Sequence, residues 1–380
     1  MRISALGWGT AFVAAVGLVL GRLLGWVELA ALGAGAAAVV LLSLVMTLGR
    51  ARYAVTLDMA DNRVKIGERA VGRLEIRNAA RRRSLPSRLE LPVGAGLAEL
   101  GVPSLAPGAA HDELFAIPTA RRAVVVVGPV RSVRGDPLGI ARRAVLWTRP
   151  VDLYVHPALV ALGGASAGLL RDLEGQATRD LSDSDMSFHA LRDYVAGDDR
   201  RYIHWRTTAR RGQLMVKQFE DTRRTQTVLA LATDPADYAD DDEFELAVST
   251  IASIGVQTLR DERDLEVLAG AGSLRVTTPP VLLDDCAGVE MSPSGAGVTL
   301  LGRRIVREAP QCSVAVLVTG SAPSDTDLRL GARHLPAGTR TLVVRCDLGA
   351  DVSVRTQGLL TLGTLGALDD LPRLLRRVVS

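Results

Sequence analysis

The spacing of apolar residues changes character three times along this chain. Residues 3–21 carry no charged side chain, and after Arg22 a second apolar run covers 29–48, with Glu28 at its outer edge. Each run is close to the ~20 apolar residues that cross a bilayer. The pattern predicts a transmembrane helical hairpin over 1–50. A cleaved signal peptide would have a short apolar core followed by soluble chain, whereas here a longer apolar run follows at once. Trp8 and Trp26 fall near the expected interfaces, where amphipathic rings settle. Arg2 precedes the first run and Arg50 and Arg52 follow the second, against Arg22 offset by Glu28 in the turn. The positive-inside rule then makes this a multi-pass protein of the cell membrane, with both ends and the large C-terminal part in the cytoplasm.

From Tyr53 the period shortens to two. YAVTLDM, RAVGRLEIRN, SRLELPV, HDELFAIPT, RAVVVVGPVRSV and VDLYVHP alternate apolar with polar residues between Gly, Pro and Asn. They predict six strands of an immunoglobulin-like β-sandwich over 51–157. The Arg-Gly-Asp-Pro of 134–137 reads as a turn punctuated by Gly135 and Pro137. Residues 158–225 form a linker and a distinctive segment. Over 226–380 strands and helices alternate: QTVLALAT, a helix in EFELAVSTIASIGVQTLRDE, the strand pair DLEVLAG and SLRVTT, a helix in VTLLGRRIVREA, strands SVAVLVTGS and TRTLVVRCD, and a final helix ALDDLPRLLRRVVS. That alternation predicts a doubly wound α/β domain.

Composition excludes several classes. Forty-five basic against forty-two acidic residues leave +3, and only Lys65 and Lys217 are lysines. Such a balance creates no global pull towards nucleic acid. Cys286, Cys312 and Cys346 are odd in number and far apart, without disulfide or zinc spacing, which fits a reducing compartment.

The chain has fourteen aromatic residues, and five of them, Phe188, Tyr194, Tyr202, Trp205 and Phe219, fall within 188–219. Residues 189–224 hold nine basic and five acidic side chains, a local +4. Two roles suit this mixture. The arginines could fork onto Asp198 or Asp199 and clasp neighbouring domains, with Ile203, Trp205 and Ala209 forming an apolar side opposite Arg206 and Arg210. Alternatively, Tyr202 and Trp205 could anchor an acidic partner on a docking surface. Acids interleaved with the bases argue against a nucleic-acid groove.

The string LRDYVAGDDRRYIHWRTTARRGQLMVKQFE resembles the hallmark of the domain of unknown function 58 family. The matching positions are Arg192, Tyr194, Gly197, Asp198, Asp199, Arg201, Ile203, Trp205, Ala209 and Arg210, while His204 stands where aspartate is frequent. The 134–139 turn, the Tyr-Val-His-Pro of 154–157 and the N-terminal hairpin are similar to the family as well. The resemblance implies a membrane-anchored bacterial protein, encoded beside a MoxR-type AAA+ ATPase and often a transglutaminase-like membrane protein. It also implies a C-terminal domain like von Willebrand factor A. Where a magnesium-binding A domain carries Asp-x-Ser-x-Ser, this chain has Ala232, Thr233, Asp234, Pro235 and Ala236, and Thr319-Gly320-Ser321 stands where Thr-Asp-Gly is usual. One carboxylate makes a poor site for a hard cation, so no metal and no cofactor are expected.

Catalytic motifs are weak. Gly164-Ala-Ser166-Ala-Gly168 has the spelling of a nucleophile elbow, but it lies in a Gly/Ala-rich linker rather than between a central strand and a helix. Histidines 111, 156, 189, 204 and 334 have no ligand spacing, and no phosphate-cradling loop appears. The expected function is a non-enzymatic, membrane-anchored adaptor working with a MoxR-type ATPase, with Arg192 to Arg210, including Arg206, as its interdomain or partner-binding segment. The alternative is a protein-binding module that uses a divalent cation at Asp234.

Overall fold

The computed structural model describes residues 2–47, 52–136, 138–163, 186–195, 198–221, 226–270, 272–293 and 295–379. The chain divides into two compact units at His156–Pro157. In the first, β1 (Arg2–Ile3) leads into α1 (Ala5–Leu24) and α2 (Val27–Thr47). Both helices are long and apolar enough to cross a membrane. Gly25, at φ 70, ends α1 in the left-handed region that glycine adopts without steric cost. The helices then meet through small residues. A Cβ on Gly21 would lie 2.5 Å from the Ala30 nitrogen, and one on Gly33 would lie 2.5 Å from the Leu18 nitrogen, so the backbones touch only because those side chains are absent.

The sandwich strands are β2 (Tyr53–Met59), β3 (Arg63–Lys65), β4 (Ala70–Asn78), β5 (Ser87–Val93), β6 (Gly96–Val102), β7 (Ala110–Ile117), β8 (Ala123–Val127), β9 (Arg131–Gly135), β10 (Ala141–Leu146) and β11 (Val151–His156). A three-stranded sheet, β2-β4-β7, faces a larger one ordered β1-β10-β9-β5-β8-β11-β3, with β6 on β5. Side chains from both fill one core: Leu74 and Ile76 of β4 meet Leu89, Leu91, Val127, Leu153 and Val155. Alternation in β4 turns Leu74, Ile76 and Asn78 inward. Asn78 is tolerated there because its Nδ2 donates to the carbonyls of Arg82 and Leu105, both at 2.9 Å.

Three details correct the sequence reading. RAVVVVGPVRSV is two strands, because Gly128 has φ 90 and Pro129 has no N–H for the ladder. Strands β3, β6 and β10 had no assignment, since β3 is three residues long and arginines interrupt the apolar alternation of β10. The hairpin and the sandwich, divided at residue 50 in the sequence reading, form one unit. β1 pairs with β10, Arg2 opposite Arg142 and Ile3 opposite Ala141, and the Ser4 N–H donates to the Ile140 carbonyl at 3.1 Å.

The second unit holds the hairpin β12 (Met186–Asp193) and β13 (Met215–Asp221), with α3 (Trp205–Arg211) in the excursion between them. It then builds a sheet from β14 (Thr227–Leu231), β15 (Leu265–Ala269), β16 (Gly272–Leu274), β17 (Val314–Thr319), β18 (Arg340–Cys346), β19 (Ser353–Gln357) and β20 (Leu360–Leu365). The order is β16-β15-β14-β17-β18-β20-β19, parallel except at the two edge strands. Strands β14 and β17 are buried at every position, as in a sheet covered on both faces.

The covering helices are α4 (Asp241–Arg260), α5 (Pro279–Ala287), α6 (Val298–Glu308), α7 (Asp325–Arg333) and α8 (Leu371–Val379). α4 begins where Asp240 accepts the Glu243 N–H at 2.9 Å, with three acids in its first turn to favour the dipole. The sequence reading left out α5, α7 and the β19–β20 hairpin. α7 has nine mostly polar residues, and its clearest mark is a capping box between Ser324 and Asp327. The strand order reverses between β14 and β17, which places the sheet's natural crevice at their carboxyl ends.

Candidate functional site

Two places invite function: the excursion between β12 and β13, and the crevice beyond β14 and β17. The excursion is closed at its base by Tyr194 N–H donating to Leu214 O at 2.8 Å and His204 N–H donating to Met215 O at 2.8 Å. Inside it, Arg192 forks onto Asp198, Nη1 to Oδ2 and Nη2 to Oδ1, both at 2.7 Å. The Val195 N–H adds a third donor to Asp198 at 2.8 Å. Arg192 first, then Val195, holds the Asp198 carboxyl below the usual carboxylate range, against the cost of burial.

Asp199 repeats the device one residue on. It caps the 3-10 turn 200–202 by accepting the Arg201 N–H at 2.9 Å, and it takes the Arg201 guanidinium on its other oxygen at 2.7 Å. The Arg201 side chain lowers the Asp199 carboxyl in the same way. Ile203 (7% exposed), Met215 and Val216 form the small apolar centre. His204 caps α3: its Nδ1 lies 2.8 Å from Thr207 Oγ1 and accepts the Thr207 N–H at 3.3 Å. Gly212, at φ 72, ends the helix.

The apolar side expected of Ile203, Trp205 and Ala209 does not form. Ile203 is inside, but Trp205 is 65% exposed, and Arg206, Ala209 and Arg210 are exposed with it. α3 lasts under two turns, and its half-buried positions are Thr207 and Thr208; Thr208 Oγ1 accepts the Met215 N–H at 3.0 Å. The signature divides into an internal brace (Arg192, Asp198, Asp199, Arg201, Ile203) and an outward set (Trp205, Arg206, Arg210). Tyr194 is half-buried. Gly197 and the 164–168 elbow with Ser166 lie outside the described residues. The hydroxyls that complete the brace escaped the sequence reading; Thr207, three residues after His204, was its available signal.

At the crevice, Asp234 accepts the Ala236 N–H at 3.0 Å as the cap of a 3-10 turn. Asp237 Oδ2 accepts the Val298 N–H at 2.7 Å and the Thr319 hydroxyl at 3.3 Å. Glu243 accepts the N–H groups of Ala239 and Ser321 at 3.0 and 3.1 Å. The loop before α6 roofs the end of β14: Thr233 N–H donates to Ala296 O, and Ser292 N–H donates to Thr233 O. A Cβ on Gly295 would lie 2.5 Å from the Thr233 hydroxyl, so the chain itself fills the crevice. Burial, with smaller pushes from Asp234 and Asp327, raises the Asp237 carboxyl above its usual range despite its two donors. Among the described residues, no group of three or more His, Cys, Asp or Glu side chains could hold a metal ion.

The model of the family described as Protein of unknown function DUF58 matches residues 190–281, which contain the excursion and the first strand and helix of the large sheet. "Uncharacterized protein YeaD" of Bacillus subtilis (strain 168) is 29% identical over 144 residues, 38% of this chain and 33% of that relative; the match thus spans about a third of the relative's length. Among solved structures, the chain is similar to the CARDB domain of the PF1109 protein from Pyrococcus furiosus. That match has 11% identity and a TM-score of 0.21, over 28% of this chain and 96% of that one. A β-glucosidase from Listeria innocua matches at 12% identity and a TM-score of 0.18, over 27% and 17%. At those scores neither likeness carries an argument.

Two expectations follow for the full chain in detergent. Ile203→Ala should lower its stability by about 2–5 kcal/mol, as aliphatic truncations in packed sites do. Trp205→Ala should change it by no more than about 0.5 kcal/mol; thermal melts separate these, and the reverse order would favour the clasp. The second concerns Asp237. A carboxyl raised by folding binds its proton more readily when folded, so stability falls as pH rises from the unfolded value of about 3.9 through the folded one. Asp237→Asn keeps an oxygen for Val298 without the charge. It should flatten that slope and match or exceed wild-type melting at pH 7, whereas Asp237→Ala, which strands both donors, should melt lower.

Proposed function

Taking residues 190–281 as a segment of the DUF58 family, we propose that this chain is a non-enzymatic adaptor, anchored in the membrane by α1 and α2, that docks a cytosolic MoxR-type AAA+ ATPase. One observation carries the reading: Trp205 stands 65% exposed on a helix braced at both ends, beside exposed Arg206 and Arg210. Tryptophan and arginine dominate interface hot spots, and a side chain already held in place loses less freedom on binding. The excess of arginine suits an acidic partner face. The partner class, and a transglutaminase-like membrane protein as a further neighbour, come from the family resemblance.

The anchoring part of the proposal draws on the hairpin. Gly17, Gly21 and Gly33 fit α1 against α2, a fit for which a removed leader would have no use. Charge placement at Arg2, Arg50 and Arg52 supports a cytoplasmic sandwich and sheet. The doubly wound order of residues 226–380 supports the likeness to a von Willebrand factor A domain. Its crevice is roofed by its own loop, and Asp234 is committed to a turn, so a cation bridge is the weaker alternative.

The test is direct binding between the full chain in lipid nanodiscs and the purified MoxR-type ATPase of the same organism. Trp205→Ala and Arg206→Glu should each weaken binding by about 30-fold, the scale of a 2 kcal/mol hot spot, with melting unchanged. Asp234→Ala should leave affinity unchanged. Loss of binding in Asp234→Ala alone would instead favour the cation-dependent module.

A further inference from the structure

The turn joining β9 to β10 is built against the beginning of α1 and the end of α2. Asp136, 8% exposed, organises it. Its carboxylate accepts the N–H groups of Leu138, Ile140 and Ala141 at 3.1, 3.2 and 2.7 Å, and the Ser43 hydroxyl of α2 reaches the same group. On the other side, Ile140 O accepts the Ser4 N–H at 3.1 Å. A Cβ on Gly7 would lie 2.5 Å from that oxygen and 3.2 Å from the Ile140 side chain, so Ile140 rests on the first turn of α1.

That contact fixes the depth of the turn. Gly7 is the third residue of α1, about 4.5 Å along the helix at 1.5 Å per residue. If the 20 residues of α1 fill a hydrocarbon core of about 30 Å, its first turn lies where core meets headgroups. Leu138, two residues before Ile140, is within about 7 Å of chain from it. It is 60% exposed, beside exposed Gly139, while Ile3 and Leu6 of the adjoining segment are 40% and 60% exposed. These apolar positions share the level of the headgroups.

The strand register adds charge. Arg2 stands opposite Arg142, and Arg134 opposite Arg143. This register gathers four arginine positions near one end of these strands, and a cluster of basic residues is what an anionic lipid surface attracts.

We propose that the Asp136–Ile140 turn is a lipid-contact site: Leu138 enters the interface of an anionic phospholipid bilayer, and the arginine positions gathered at the ends of β1, β9 and β10 supply the positive charge that favours it. This rests on reading α1 and α2 as membrane spans, and it sets the sandwich on the membrane surface rather than on a free tether.

Full chains carrying Leu138→Cys, Phe12→Cys or Leu114→Cys are labelled with an environment-sensitive thiol fluorophore and placed in nanodiscs containing headgroup-proximal spin-labelled lipid. The native cysteines are buried. The probe at 138 should shift to the blue and lose most of its emission to the quencher, more so in phosphatidylglycerol than in phosphatidylcholine. The probe at 114, on the β2-β4-β7 sheet, should do neither. Quenching at 12 inside α1 without quenching at 138 would overturn the inference and leave the spans intact. No quenching at either would remove the spans themselves, and equal quenching at 138 in both lipids would overturn the role of the arginines.

Discussion

Backbone N–H groups that leave a helix or strand must find another acceptor, and in this chain the acceptor is repeatedly a carboxylate. Asp136 serves three of them in one turn. Asp198 and Asp199 each take one backbone donor and one guanidinium. Asp237 takes the first N–H of α6, and Glu243 ties together the loops after β14 and β17. An ionised carboxylate forms stronger hydrogen bonds than a neutral oxygen, which suits loops that have little apolar surface to bury. Acidic residues that might have suggested chemistry are thereby committed to architecture.

That commitment shapes the functional reading. In the excursion, Asp198 and Asp199 pair with Arg192 and Arg201, and Arg200, Arg206, Arg210 and Arg211 are its other exposed arginines. In the crevice of the large sheet, the acids that could have met a cation hold turns, and a loop occupies the space above Thr233.

Legibility followed burial and periodicity. The two apolar runs, the buried strands β14, β17 and β18, and the amphipathic α4 could be read because long segments repeat one signal. The family motif could be read as a string, and so could the pairing of its arginines with Asp198 or Asp199. The orientation of Trp205 could not. Ile203, Trp205 and Ala209 opposite Arg206 and Arg210 suggested an apolar side, but the seven residues capped by His204 and Gly212 turn only threonines inward. Short elements such as β3 and α7 escaped for the same reason: each is stabilised by its register or caps rather than by an apolar stripe. The continuity of hairpin and sandwich lay in two residues, Arg2 and Ile3, too few for a pattern to register.

Those two residues have a mechanical consequence. With β1 laddered to β10 on one side and Asp136 bonded to Ser43 on the other, the sandwich is gripped by both helices rather than hung from one. A pull on the sandwich would load the β1–β10 rungs and the Asp136–Ser43 bond together, and would reach the Gly17–Gly33 contact deep in the hairpin. Force applied to the sandwich would therefore act on the packing of the helix pair.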